Sequence, residues 1–191
     1  MPKIVDREKR KEMIAEATWQ VILKQGMKGA TVRNIAKEAQ LSLGALRHYF
    51  STQEELYMFA MKLVKERVLK RIEKIVASDL PPKEKFISVL EQLLPMDEES
   101  RAEMEVWLHF TNYFLGNEKL LDDGIREGIE KALYFLECHQ LLKDNIDIEI
   151  ETERLHALVD GLALHRIMDK NRPTNEMMRQ ILTKHVETLL K

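Results

Sequence analysis

From Thr52 to Ser78 the chain runs without a glycine or a proline, with Met58, Met61, Val64 and Val68 returning at helical spacing. An unbroken run of that length and period forms a helix and nothing else. Short breaker clusters divide the rest of the chain into runs of the same kind. They are Gln25-Gly26-Met27-Lys28-Gly29, Asp79-Leu80-Pro81-Pro82, Pro95, Gly116-Asn117, Asp144-Asn145-Ile146-Asp147 and Asn171-Arg172-Pro173-Thr174. With only 7 Gly and 5 Pro in 191 residues, there is little else to interrupt helices. The pattern predicts an all-α chain of about nine helices. Two of them, Val32 to Ala39 and Leu43 to Phe50, are short. Ile146 to Ile150 alternates as a strand would, but it has no partner run and reads as a turn entering a helix.

Capping residues stand where the runs begin. Asp6, Thr31, Ser42, Asp147 and Thr174 each precede a run. Ser51-Thr52-Gln53-Glu54 and Ser100-Arg101-Ala102-Glu103 both read as capping boxes, with serine at the N-cap and glutamate three residues on. Gly26 is placed to end the first helix.

Charge is unevenly distributed. Residues 1–50 hold ten Lys/Arg and five Asp/Glu, a balance of +5; the remaining residues hold twenty and twenty-seven, a balance of −7. A basic head on an acidic body suits a head that meets a polyanion. A single Cys rules out an intramolecular disulfide and fits a reducing compartment. No run is long and apolar enough to span a membrane, and the first residues lack a leader's apolar core, so the expectation is a cytoplasmic protein.

Within the head, two short helices, a three-residue turn Gln40-Leu41-Ser42 and the surplus positive charge coincide. That is the plan of a helix-turn-helix, whose first helix braces while the second enters the major groove. Ile35, Ala36, Ala39, Leu41, Leu46 and Phe50 supply a small core. The opposite face of the second helix carries Leu43, Gly44, Ala45, Arg47 and His48. Gly44 and Ala45 are small enough to admit the groove wall. Arg47 suits a bidentate contact to guanine, Leu43 or Ala45 a thymine methyl, and Tyr49 can donate to a phosphate. Lys9-Arg10-Lys11 adds cations suited to lie along phosphates.

The stretch from Thr31 to Leu56 resembles the tetracycline-repressor (TetR/AcrR) family of regulators. The resemblance rests on Ile35-Ala36-x-x-Ala39, on Ser42-x-Gly44-Ala45-Leu46-x-x-Tyr49-Phe50 and on Glu54-Glu55-Leu56. Glu153 to Leu164 is similar to the C-terminal domain of BetI-type, choline-responsive regulators. The resemblance implies a helix-turn-helix DNA-binding domain over residues 1–51 and a helical ligand-binding and dimerisation domain over residues 52–191. It implies Thr31, Arg33, Ser42 and Tyr49 as phosphate contacts, with Leu43, Gly44, Ala45, Arg47 and His48 facing the bases. The partners it implies are double-stranded operator DNA, a second copy of the chain and a small apolar or cationic effector. The sequence departs from the family pattern in three places. Gln40 stands where glycine is usual, Arg47 replaces a common aromatic, and Gln53 replaces a common lysine that would touch phosphate.

Between Leu155 and Met168 apolar or small residues go nearly round the helix, interrupted by the charges of Asp160 and Arg166. A helix apolar on all sides is buried on all sides, so one side is expected to meet a second protomer. The last helix offers a matching stripe. The expected contact surface comprises Leu158, Gly161, Leu162 and His165 with Met178, Ile181, Leu182 and His185. An effector pocket is expected among Met61, Val64, Trp107, Phe110, Tyr113, Phe114 and Tyr134, since aromatic faces hold cations and Met fits irregular apolar shapes.

Enzyme classes find little support. No Gly-rich phosphate loop, GxSxG or HExxH is present, and no cofactor or catalytic residue is implied. Glu153-x-x-His156 is a single Glu-x-x-His, whereas a di-metal helical bundle needs two with further glutamates. Cys138 and His139 are adjacent and point about 100° apart on a helix, a poor metal pair. A di-metal bundle enzyme and an interaction module without sequence-specific DNA binding are the alternatives to a regulator.

Overall fold

The computed structural model describes residues 7–114 and 124–191. Among them are nine α-helices: α1 (Arg7–Gly29), α2 (Val32–Glu38), α3 (Leu43–Tyr49), α4 (Gln53–Val76), α5 (Pro82–Glu91), α6 (Glu98–Phe114), α7 (Gly124–Cys138), α8 (Ile148–Met168) and α9 (Asn175–Leu189). No named strand occurs among the described residues, and Leu142 and Leu190 form an isolated antiparallel bridge. The all-α reading holds. Asp6 and the Gly116-Asn117 break lie outside the described residues. No described helix is long and apolar enough to cross a membrane.

Packing gathers the described residues into two compact units. One takes residues 7–67 and 105–114, the other residues 68–104 and 124–191. This division by packing does not coincide with the functional division expected at residues 51/52.

The core of the first unit joins Ile14, Ala15, Trp19 and Ile22 of α1 to Ile35 and Ala36 of α2 and Leu46 of α3. Leu56, Tyr57 and Ala60 of α4 and Phe110 of α6 complete it. Two cations reinforce this unit from the rim. Lys11 lies 5.7 Å from the ring centre of Phe50 and 5.4 Å from that of Phe59. Arg67 stacks over Trp19 at 4.5 Å, and the Trp19 indole N–H donates to the Ala60 carbonyl at 3.1 Å. Lys11 therefore faces Phe50 and Phe59, and of the Lys9-Arg10-Lys11 triplet only the first two are left for phosphate.

The helix starts follow their caps, with two revisions. Thr31, Ser42, Asp147 and Thr174 each accept the backbone N–H three residues on, as expected. For α4 the cap is Thr52 rather than Ser51: its hydroxyl accepts from the Glu55 N–H at 3.0 Å, and the Glu55 carboxylate takes the Ser51 N–H at 2.8 Å. For α6 the cap is Asp97, with Ser100 as its reciprocal partner at 2.8 and 3.0 Å. Glu103 is released from the capping box that the sequence suggests. It is buried instead, forked onto Arg71 of α4 with contacts of 3.1 and 2.6 Å, while Arg71 Nε donates to Gln92. A carboxylate two turns into an amphipathic helix has an apolar face to sink into once a guanidinium meets it there.

Gly26 closes the long run of α1, as expected, and separates it from a last short turn. Its φ of 67° and ψ of 179° interrupt the helical backbone, and one more turn follows to Gly29. α2 ends in a Schellman motif: Leu41 N–H donates to Ala36 O at 2.8 Å and Gln40 N–H to Lys37 O at 3.1 Å. Gln40 accordingly sits at φ 55°, the left-handed conformation that glycine adopts freely. α7 ends the same way, with Gln140 at φ 57°.

The core of the second unit joins Phe86, Ile87 and Leu90 of α5 to Ile129, Leu133 and Leu136 of α7. Leu155, Val159, Leu162 and Ala163 of α8 and Met178, Leu182, Val186 and Leu189 of α9 close it. The Gln40→Gly variant is expected to unfold at higher urea, by about 1 kcal/mol, because the side chain's left-handed strain is removed. Equilibrium unfolding followed by Trp fluorescence checks it.

Candidate functional site

α3 is only seven residues long, and its inner side is held by Leu46, with Phe50 following at its C-cap; both are buried. That anchoring turns Leu43, Gly44, Arg47 and His48 outward, all exposed, with Ala45 and Tyr49 half-buried at the edges. The His48 and Tyr49 rings meet edge to face at 5.5 Å, which limits both rotamers. A Cβ built on Gly44 would meet nothing within 4 Å, so the glycine answers no packing need of the chain itself. Thr31 and Arg33 are exposed on α2, and Ser42 is exposed at the turn. Arg33 and Arg47 are exposed and have no ion pair among the described residues. Each of the nine residues expected at DNA thus reaches the surface of α2, the turn or α3.

Gln53 does not. Its amide donates to the Ala30 carbonyl at 3.0 Å, and the Tyr57 hydroxyl donates to the same carbonyl at 2.7 Å. The glutamine that replaces a phosphate-binding lysine has turned inward to hold the α1–α2 junction. Sequence reading missed this role, and the signal available was the spacing: Gln53 and Tyr57 share one face of α4.

The residues expected to line a pocket divide. Met61, Val64, Phe110 and Phe114 are buried in the first unit's core, with Trp107 packed partly against it. Tyr113 is 48% exposed, in edge contact with Tyr57 and Phe114. Tyr134 is exposed on α7 and belongs to the second unit. A cleft that the sequence did not suggest is bordered by Arg71, Glu91, Gln92, Met96 and Asp97.

The expected protomer contact also divides. Met178 and Leu182 are fully buried inside the second unit, and Leu162 nearly so; these three serve the chain's own core. Leu158, Gly161, Ile181 and His185 are half-buried and His165 is exposed. Ile150, Leu164 and Met168 of α8 and Met177 of α9 leave large apolar side chains in solvent. A Cβ built on Gly161 would meet nothing within 4 Å.

His185 Nε2 of α9 lies 3.3 Å from the Glu151 carboxylate of α8, which Arg154 also pairs. Burial lowers the imidazole's affinity for a proton, partly opposed by Glu151 and reinforced by Arg154. Glu153 pairs with Arg126, and His156 lies 3.5 Å from Asp160, so both ends of the Glu-x-x-His pattern already have partners within the chain. Among the described residues no cluster of three His, Cys, Asp or Glu side chains is suited to hold a metal.

A basic helix-turn-helix with an exposed second helix, followed by helical packing of this order, defines a DNA-binding regulator. Residues 14–58 match the model of the bacterial regulatory proteins of the tetR family, and residues 82–191 match the BetI-type transcriptional repressor C-terminal domain. The chain is 53% identical to the HTH-type transcriptional regulator PksA of Bacillus subtilis, over 99% of this chain and 94% of that protein. It is 26% identical to the HTH-type transcriptional regulator BetI of Stenotrophomonas maltophilia, over 98% and 96%. Among solved structures it is similar to a transcriptional regulator from Rhodococcus sp. RHA1, with TM-score 0.79 and 28% identity over 94% and 95% of the two chains. It also shares its fold with a regulator from Saccharomonospora viridis in complex with choline, at TM-score 0.84 and 21% identity over 96% and 99%. The chain belongs to the TetR family of transcriptional regulators, with a BetI-type repressor C-terminal domain.

Because the folded pKa of His185 lies below its ordinary 6.5, the unfolded chain binds the proton more readily. The stabilising contribution is complete above that value and is lost as pH falls through the folded pKa. The stability of His185→Gln is expected to depend less steeply on pH than that of the parent between about pH 7 and 5. Urea titrations across that range check it.

Proposed function

We propose that this regulator acts as a homodimeric repressor, released from a near-palindromic operator by a small effector. The observation that carries the DNA half is the exposed, unpaired Arg47 on a recognition helix whose neighbours are small. In this reading Leu43, Gly44, Ala45, Arg47 and His48 face base edges. Thr31, Arg33, Ser42 and Tyr49 bind phosphates and set the register. Arg47 takes guanine through its two-pronged fork.

The dimer half is supported by Leu164 and Met168, exposed on α8 together with a Gly161 that packs against nothing, and by Met177, exposed on α9. A glycine in mid-helix costs about 1 kcal/mol relative to alanine and returns nothing inside the protomer. A second backbone approaching there would return it. Leu158, Ile181, His165 and His185 border that face. The effector half rests on the rings of α6: Trp107 and Tyr113 retain accessible surface beside Met61 and Val64. A cation or an apolar molecule suits them, and by binding one arrangement of the heads better than another it would lower operator affinity.

Selection of bound duplexes from random DNA is expected to return an inverted repeat with half-sites about one turn apart. Arg47→Ala should then lose roughly 1–3 kcal/mol of operator affinity and tolerate any base at one position per half-site. Unchanged base preference would remove Arg47 from the readout. Leu164→Lys is expected to shift the protein from dimer to monomer at micromolar concentration in sedimentation velocity, without loss of helicity by circular dichroism.

A further inference from the structure

The geometry points to Tyr57 as a positioning residue for DNA binding: its hydroxyl holds the Ala30 carbonyl, and its ring, wedged against α6, ties the setting of α2 to the C-terminal end of that helix. The proposal rests on the reading that α2 and α3 engage DNA, and extends it to a residue that never touches the duplex.

The contacts form an unbroken series within one compact unit. On α6, Phe110 and Tyr113 lie with ring centres 5.4 and 5.3 Å from that of Tyr57, Tyr113 standing edge-on at 90°. Tyr57 is fully buried, and its hydroxyl donates to Ala30 O at 2.7 Å. Gln53, one turn earlier on α4, donates to the same carbonyl at 3.0 Å. Ala30 is itself buried and lies between the last residue of α1 and Thr31, the N-cap of α2. The neighbouring Gly29 carbonyl accepts the Thr31 N–H at 2.8 Å and the Asn34 side-chain amide at 2.9 Å. Every polar group of the α1–α2 junction that these bonds name is therefore committed, and two of the donors come from α4. Thr31 and Arg33, the residues read as phosphate contacts, follow directly from that junction.

Burial also raises the Tyr57 phenol above its ordinary 10.0, so the hydroxyl is a protonated donor at neutral pH. The two ends of the side chain do different work. The hydroxyl selects one placement of Ala30 and Thr31, and the ring senses where α6 stands. If the ring is displaced, the 2.7 Å bond cannot be kept, and the carbonyl is left with Gln53 alone. A head released in this way spends time in placements that do not match phosphate spacing, and apparent affinity falls by the competent fraction.

The test uses full-length protein and the duplex recovered by site selection, with affinity read by fluorescence anisotropy. Four proteins are compared: the parent, Tyr57→Phe, Tyr113→Ala and the double variant. Tyr57→Phe keeps the ring and its packing while removing the hydroxyl, and is expected to weaken operator binding about fivefold. Tyr113→Ala, at a half-exposed position, is expected to weaken it about threefold in the parent and not at all in the Tyr57→Phe background. That non-additivity distinguishes positioning from general loss of stability, which would act equally in both backgrounds. Operator affinity unchanged by Tyr57→Phe overturns the proposal, as does the same loss from Tyr113→Ala in both backgrounds. If the parent itself selects no duplex, the DNA-binding reading fails first and the proposal falls with it.

Discussion

Neither α2 nor α3 would persist as an isolated peptide, since seven residues close too few hydrogen bonds to offset nucleation. Both exist because Ile35, Ala36, Leu46 and Phe50 are buried against α1 and α4. Everything the head presents to solvent is a consequence of that small apolar contact. A recognition surface needs the outer side chains at fixed azimuths, and on a helix of two turns the azimuth is set by what the inner side is attached to. Lys11 between Phe50 and Phe59, and Arg67 over Trp19, extend the same attachment outward by covering aromatic edges with cations. The head's positive charge is therefore not all available to a polyanion, and part of it is structural.

Helix number, helix order and most boundaries were legible because apolar period and breaker residues act locally. Four of the caps were legible for the same reason. The two box assignments that moved, at Thr52 and Asp97, show the limit of that reading. Ser-x-x-Glu is a pattern of residue types, and a neighbour one or three residues away with its own oxygen competes for the same N–H groups. Which competitor wins at α6 depends on Glu103, and its burial against Arg71 is a tertiary event with no local sign. Gln40 shows the reverse case. The family's usual glycine pointed to a left-handed residue there, and the backbone adopts that conformation in spite of the side chain.

The candidate site was legible on its exposed side. Arg47, His48 and the small residues before them occupy one face of α3 by helical geometry alone. On α8 and α9 the sequence showed apolar residues on nearly every side without showing which positions the core would take. Met178, Leu182 and Leu162 went inward, and Leu164, Met168 and Met177 stayed outside. Periodicity does not rank apolar residues that surround a helix; the packing of α5 and α7 against it does. Gln53 was illegible for a related reason: replacing a cation by an amide says what was lost at the phosphate and nothing of a carbonyl 23 residues earlier in the chain.

The left-handed glutamines that close α2 and α7 carry a further meaning. Each occupies a backbone state that another residue type would enter freely, so the chain holds stability in reserve at both places. One of the two positions closes α2, the helix that packs against α3. A brace held slightly below its attainable firmness opens more often in the free protein, and amide protons along α2 would report this as faster exchange.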